Sequence, residues 1–191
     1  MSEETTKQKK KGFGIKDVVA IGIGTALFVV LTEVQIPIGI PNTSLQPRMA
    51  VLAFMSAMFG PWVGAIIGIL GHALGDALFY GSVWWSWVFP EAIVAIPIGL
   101  FSKYFAVREG GFNSKKIAVF NVIQVVANAL AWVVCAPLLD IAVYAEPAQK
   151  VFIQGAFAFL GDIIIVGVLG SLLLALYSKV AGKSSSLKKE A

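Results

Sequence analysis

At 191 residues, 58% hydrophobic and only 14% charged, with a mean hydropathy of +0.82, the chain carries more apolar surface than a soluble domain of this size hides. It reads as an integral membrane protein, with room for about six crossings of roughly 20 residues each and none for a separate soluble domain. The net charge of +4 does not point to nucleic acid, because the basic residues are dispersed over short loops and tails, as membrane topology is encoded.

Residues 1–16, MSEETTKQKKKGFGIK, are too polar for a signal-peptide core and read as a cytoplasmic tail. A first helix is expected from about Asp17 to Val34, apolar on every side as a lipid-surrounded helix should be. Within it Ala20 and Gly24 are four apart, as are Gly22 and Ala26. Small residues at that spacing clear a flat stripe, suited either to packing inside the same bundle or to docking of a separate subunit. Gln35–Pro47 holds three prolines and a glycine and cannot continue the helix. An ordered loop capping the outer mouth of the bundle, with Asn42 in it, fits its alternating apolar and polar residues.

A short second helix is expected at Arg48–Phe59 and, after the Gly60-Pro61 turn, a third at Trp62–Phe79. The third carries Gly64, Gly68, Gly71 and Gly75, a spacing that lets neighbours press close, and puts His72 one turn from Asp76. The stretch Gly71–Glu91, GHALGDALFYGSVWWSWVFPE, holds the only histidine and three of the five tryptophans. Aromatic rings around a turn at a membrane face suit an interfacial belt or the wall of a pocket. A fourth helix should run from Trp84 to Phe105, bent at Pro90 and Pro97, into a charged loop at Ala106–Lys116.

The fifth helix, Ile117–Ala136, sets the amides of Asn121, Gln124 and Asn128 on one face. Pro137 is expected to end it, leaving Leu138–Lys150 as an outer loop with Asp140, Tyr144 and Glu146. A sixth helix, Val151–Ser178, aligns Gln154, Ala158 and Asp162, and the polar residues 179–191 read as a disordered tail. The expected fold is thus all-α: one six-helix transmembrane domain over 17–178 between two tails. Thirteen of the fifteen Lys and Arg fall in the tails and the Ala106–Lys116 region including Lys103, leaving Arg48 and Lys150 on the other face. That asymmetry makes both termini cytoplasmic and turns the tryptophan stretch outward.

Ionisable groups inside a membrane are costly, so each invites a functional hypothesis. Glu33, Arg48, His72, Asp76 and Glu91 cluster toward the outer side, with Asp162 nearer the middle, as for a pocket open outward and sealed inward. Arg48 is expected to neutralise Glu33 at the rim. Cys135 stands alone and reads as a small buried hydrophobe. One histidine and no cysteine pair leave no metal site, and Gly182-Lys183-Ser184 lacks the glycine that a phosphate loop needs at position 177. No catalytic residue is assigned. A membrane-embedded enzyme using His72, Asp76 and Glu91 as acid–base groups is the alternative of another class, though no nucleophile is evident.

The blocks VAIGIGTALF, PNTSLQ and FGPWVG…GHALGDALFYGSVWW resemble the substrate-binding (S) components of energy-coupling factor (ECF) transporters, in the subgroup labelled riboflavin-type, which includes a cobalamin transporter. The resemblance spans about residues 15 to 180. It implies the S-component fold in a bacterial cell membrane and capture of a vitamin from outside. It also implies docking onto a transmembrane coupling (T) subunit that carries two ATPase subunits, then toppling to release the ligand inward. The docking surface would be Ala20, Gly22, Gly24 and Ala26. Candidate substrate-binding residues are Asn42, His72, Asp76, Tyr80, Trp84, Trp85, Trp87, Glu91 and Asn128. No cofactor is held permanently; the ligand the resemblance favours is cobalamin or a corrinoid precursor, with riboflavin or a queuosine precursor as the alternative.

Overall fold

A computed structural model describes residues 12–40 and 43–190. Helix α1 (Ile15–Thr32) starts after Gly14, whose backbone N–H donates to Asp17. A two-stranded antiparallel hairpin follows, β1 (Ile36–Ile40) with β2 (Thr43–Leu45). Then come α2 (Arg48–Phe59), α3 (Pro61–Gly75) with a π-helical end at Asp76–Tyr80, α4 (Trp85–Val88), α5 (Pro90–Leu100) and α6 (Ser102–Phe105). The chain closes with α7 (Ser114–Asn128), a π-helical stretch at Ala129–Cys135, α8 (Ala136–Tyr144), α9 (Ala148–Ile165), a π turn at Val166–Gly170, and α10 (Ser171–Glu190).

Among the described residues, four continuous helical runs are long and apolar enough to cross a membrane: Ile15–Thr32, Pro61–Tyr80, Ser114–Tyr144 and Ala148–Lys183. The other two expected crossings, Arg48–Phe59 and Trp85–Leu100, are shorter apolar helices. At 1.5 Å per residue, the 12 residues of α2 fall well short of a hydrocarbon core about 30 Å thick. Helix α2 is instead the buried centre, with Leu52 and Ala53 fully enclosed and α1, α3 and α5 packed around it. It stops at Gly60, whose φ of 95° is open to glycine but strained for other residues, and Pro61 opens α3.

The glycine ladder of α3 acts as its spacing predicts. A Cβ at Gly71 would lie 2.7 Å from the Phe28 ring and one at Gly68 would lie 2.8 Å from Glu91 Cβ, so α1 and α5 approach on two sides of the helix. The small residues of α1 fall on two different faces. Ala20 and Gly24 are buried, and a Cβ at Gly24 would come 2.5 Å from the Ile67 side chain, so Gly24 lets α3 approach closely. Gly22 and Ala26 lie on the outward side, with open space around Gly22.

Four further expectations change. The fold is mostly helical but not all-α, because the proline- and glycine-broken segment after α1 pairs with itself as a hairpin, Ile36 opposite Leu45. The fourth helix is three pieces, since Pro90 starts α5 and the backbone breaks from helical geometry at Phe101. Pro137 does not end the fifth helix. The π stretch before it shifts the hydrogen-bond register, Pro137 then sits in the first turn of α8 where no N–H is needed, and the helix runs on to Tyr144. The expected tail at 179–190 is helical backbone continuing α10.

Candidate functional site

One end of the bundle is hollow. A cavity of about 680 Å³ opens among the hairpin, the end of α3, the tryptophan stretch, α8 and α9. Its polar core is a chain of three buried side chains from three elements. Arg48 opens α2, and its Nη1 lies 3.3 Å from Thr32 Oγ1, its Nη2 3.4 Å from His72 Nε2. His72 Nδ1 lies 2.9 Å from Glu91 Oε1. One tautomer satisfies both sides, with Nδ1–H donating to the carboxylate and Nε2 accepting from the guanidinium. The guanidinium also stands 4.8 Å over the Phe28 ring. Arg48 therefore turns inward rather than neutralising Glu33, which is exposed.

The expected His72–Asp76 pair is the looser contact, at 3.6 Å. Asp76 instead accepts from the backbone N–H of Trp84 at 3.0 Å, which fixes the turn after α3. Glu91 is 0% exposed, and its Oε2, like Arg48 Nε, has no hydrogen-bond partner among the described residues. A buried polar atom without a partner is uncommon, and both residues line the cavity.

The aromatic wall is built around a residue that the sequence assigns to an outer loop and the structure to a helix. Asp140, on α8 and 2% exposed, accepts from Trp84 Nε1 at 2.6 Å, Ser86 Oγ at 2.6 Å and Trp87 Nε1 at 3.0 Å. Two indoles and a hydroxyl are thus aimed by one carboxylate. Trp84 stacks on Tyr144 with centroids 4.5 Å apart, and Trp87 lies nearly parallel to Trp132 at 5.9 Å. Trp132 is held in turn by Asn128 Oδ1, and Asn128 Nδ2 donates to the Gln124 carbonyl.

The hairpin closes one side. Gln46 donates to Ser44, Ser44 to Gln35, and Gln35 to the Tyr80 hydroxyl, linking the strands to the end of α3. Leu45 sits over Gly161 on α9, where a β-carbon would collide with it.

Of the candidate residues, His72, Asp76, Tyr80, Trp84, Trp87 and Glu91 line the cavity together. Trp85 does not: it is 43% exposed and stacks on Phe89. Asn128 stands one layer behind, holding Trp132. Asn42 lies outside the described residues. The cavity also gathers Arg48, Asp140, Gln154 and Asp162, and Trp132. The alignment of Gln154 with Asp162 was a usable signal for two of these. Nothing in the sequence showed that Asp140 is helical, because the π stretch carrying the helix past Pro137 has no composition signature.

The comparisons agree with this architecture. A family model described as "ECF-type riboflavin transporter, S component" matches residues 12–179. A UPF0397 protein of Exiguobacterium is 50% identical over 180 residues, which is 94% of this chain and 98% of its own length. A UPF0397 protein of Streptococcus gordonii is 50% identical over 178 residues, covering 93% and 96%. Among solved structures, ThiT from Listeria monocytogenes has a similar fold, with a TM-score of 0.68 over 87% of this chain and 97% of its own, at 19% identity. The chain therefore belongs to the ECF-type riboflavin transporter S-component family, multi-pass membrane subunits that bind a transported vitamin for an ECF importer and are not themselves enzymes.

Proposed function

We propose that the chain captures a vitamin-sized heteroaromatic molecule from outside the cell, in the cavity between the hairpin and the tryptophan wall. The observation that carries this reading is the Asp140 clamp. It holds two indoles beside a chamber also lined by Arg48, His72 and Glu91. Flat aromatic faces with a few convergent polar groups are how small-ligand pockets achieve both affinity and orientation.

Riboflavin, the ligand in the family description, or a queuosine precursor is better supported than cobalamin. A corrinoid is bulkier than the ligands that pockets of roughly 300–1,000 Å³ enclose, and none of the relatives above points to it. Both termini face the cytoplasm by the distribution of Lys and Arg. Docking onto the T subunit with its two ATPases uses the outward face of α1 at Gly22 and Ala26, in place of the buried Ala20 and Gly24.

Titration calorimetry of the purified protein with riboflavin, and with cobalamin as the size comparison, tests the ligand class. Stoichiometric riboflavin binding without a cobalamin signal is the expected result, and tight cobalamin binding overturns it. Gly22→Leu is expected to keep ligand binding while abolishing co-purification with the T subunit. Unchanged co-purification removes the docking assignment.

A further inference from the structure

Helix α2 begins at the cavity with Arg48 and ends, at the opposite end of the bundle, on a second and smaller recess. This recess holds about 240 Å³ between the end of α2 and the segment that leaves α6, and its polar lining is Ser102, Lys103, Arg108 and Glu109. Its two sides are held together where Gly99 packs on Pro61, since a β-carbon there would lie 2.3 Å from the proline nitrogen. Helix α6 stops at Ala106, whose backbone turns left-handed with φ 48°, and Arg108 then lies over the end of α2. Its guanidinium carbon stands 4.2 Å above the Phe59 ring. That contact fixes the plane of the guanidinium and uses none of its N–H groups.

Among the described residues, neither Lys103 nor Arg108 makes a hydrogen bond or an ion pair, although Glu109 lines the same recess. Lys116 shows the contrast, because it donates to the Phe105 carbonyl and lies over the Tyr104 ring. The recess thus sets two cations with unused donors against one carboxylate. Its surroundings are apolar: Trp62 follows Pro61, Leu100, Phe101 and Tyr104 flank Ser102 and Lys103, and all four are exposed. Open aromatic and aliphatic side chains beside lysine and arginine belong at the level where lipid headgroups meet acyl chains.

We propose that this recess binds the phosphate of an anionic phospholipid headgroup, whose acyl chains lie along Trp62, Leu100, Phe101 and Tyr104. The fork of Arg108 supplies paired N–H donors to phosphate oxygens, Lys103 a mobile point charge and Ser102 a hydroxyl. Basic pockets between membrane helices take anionic headgroups in this way. A zwitterionic headgroup carries its own cation against the phosphate and gains less from the two side chains. The site lies apart from the ligand cavity and does not depend on what that cavity binds.

Native mass spectrometry of the detergent-purified full chain, titrated with dioleoylphosphatidylglycerol or dioleoylphosphatidylcholine, tests it. One phosphatidylglycerol is expected to be retained at least about tenfold more tightly than phosphatidylcholine. Lys103→Gln and Arg108→Gln are each expected to weaken that binding about fivefold, or about 1 kcal/mol. Lys115→Gln removes an exposed cation at the same end but outside the recess, and should stay within about twofold. Thermal unfolding without added lipid confirms that each variant is folded. Equal retention of the two lipids overturns the proposal, as does an affinity untouched by both recess substitutions. An equal loss from Lys115→Gln would replace the site by a diffuse basic face. Displacement of the lipid by millimolar inorganic phosphate would make it a site for free phosphate instead, and either result overturns the lipid assignment.

Discussion

The two ends of the bundle use aromatic rings in opposite ways. At the cavity end the rings stack in pairs, Trp84 on Tyr144 and Trp87 on Trp132, and the three indole N–H groups are aimed by Asp140 and Asn128. At the other end Phe105, Phe112 and Phe120 meet edge to face, with interplanar angles of 76° to 89°, and all three are buried. Edge-to-face phenylalanines fill space and satisfy one another's quadrupoles, so they seal. Stacked indoles held from behind by a carboxylate leave a face open to an occupant. The same residue class builds a plug in one place and a wall in the other, and the polar partner decides which.

Cutting the plug should give the largest effect on stability and none on binding. Phe120→Ala removes a fully buried ring and is expected to cost roughly 3–5 kcal/mol, read as a lowered thermal midpoint in detergent. Ligand affinity of the folded protein should be unchanged. A loss of affinity equal to the loss of stability would mean that the two ends are not independent.

Disarming the wall should show the reverse balance. Asp140→Asn keeps the volume but replaces one of the two acceptor oxygens by a donor facing an indole N–H. A cost of roughly 1.5–3 kcal/mol is expected for the weakened charged hydrogen bonds. Affinity should fall by more than tenfold, because Trp84 and Trp87 lose their common anchor. Intrinsic tryptophan fluorescence should change in the absence of ligand, and an unchanged spectrum with unchanged affinity would dismiss the clamp.

This contrast also explains what could be read from the sequence. The glycine ladder of α3, the apolar runs and the shortness of α2 follow from local spacing, and the structure uses them as that spacing predicts. His72, Asp76 and Glu91 were legible because an ionisable group in an apolar run is conspicuous. Their pairing was only half legible: helical spacing offered His72–Asp76, whereas the closer partner, Glu91, comes from another element. Arg48 was misassigned for the same reason, since Glu33 is near in sequence and His72 is near in space. Asp140 and Trp132 depended on a π-helical shift that carries the chain through Pro137, and periodicity cannot report a shift in hydrogen-bond register. On α1 the spacing of small residues identified two stripes but not which faced inward. That was decided by Ile67 and Met55 filling the space over Gly24.

The smallest effects lie within the tryptophan stretch itself and sharpen the comparison to single residues. Trp87→Ala removes a ring that lines the cavity and stacks near Trp132, so ligand affinity should fall by about tenfold. Trp85 is its near neighbour in sequence, but it is turned to the outside against Phe89, and its backbone N–H, which any residue supplies, is what reaches Tyr144. Trp85→Ala should therefore leave affinity within about twofold, under half a kcal/mol. Composition treats the two rings as equivalent; the Asp140 anchor does not, since it holds Trp87 and not Trp85. Equal losses from the two substitutions would show that the stretch acts as an undifferentiated belt, and the distinction between wall and plug would then fail where it is drawn most finely.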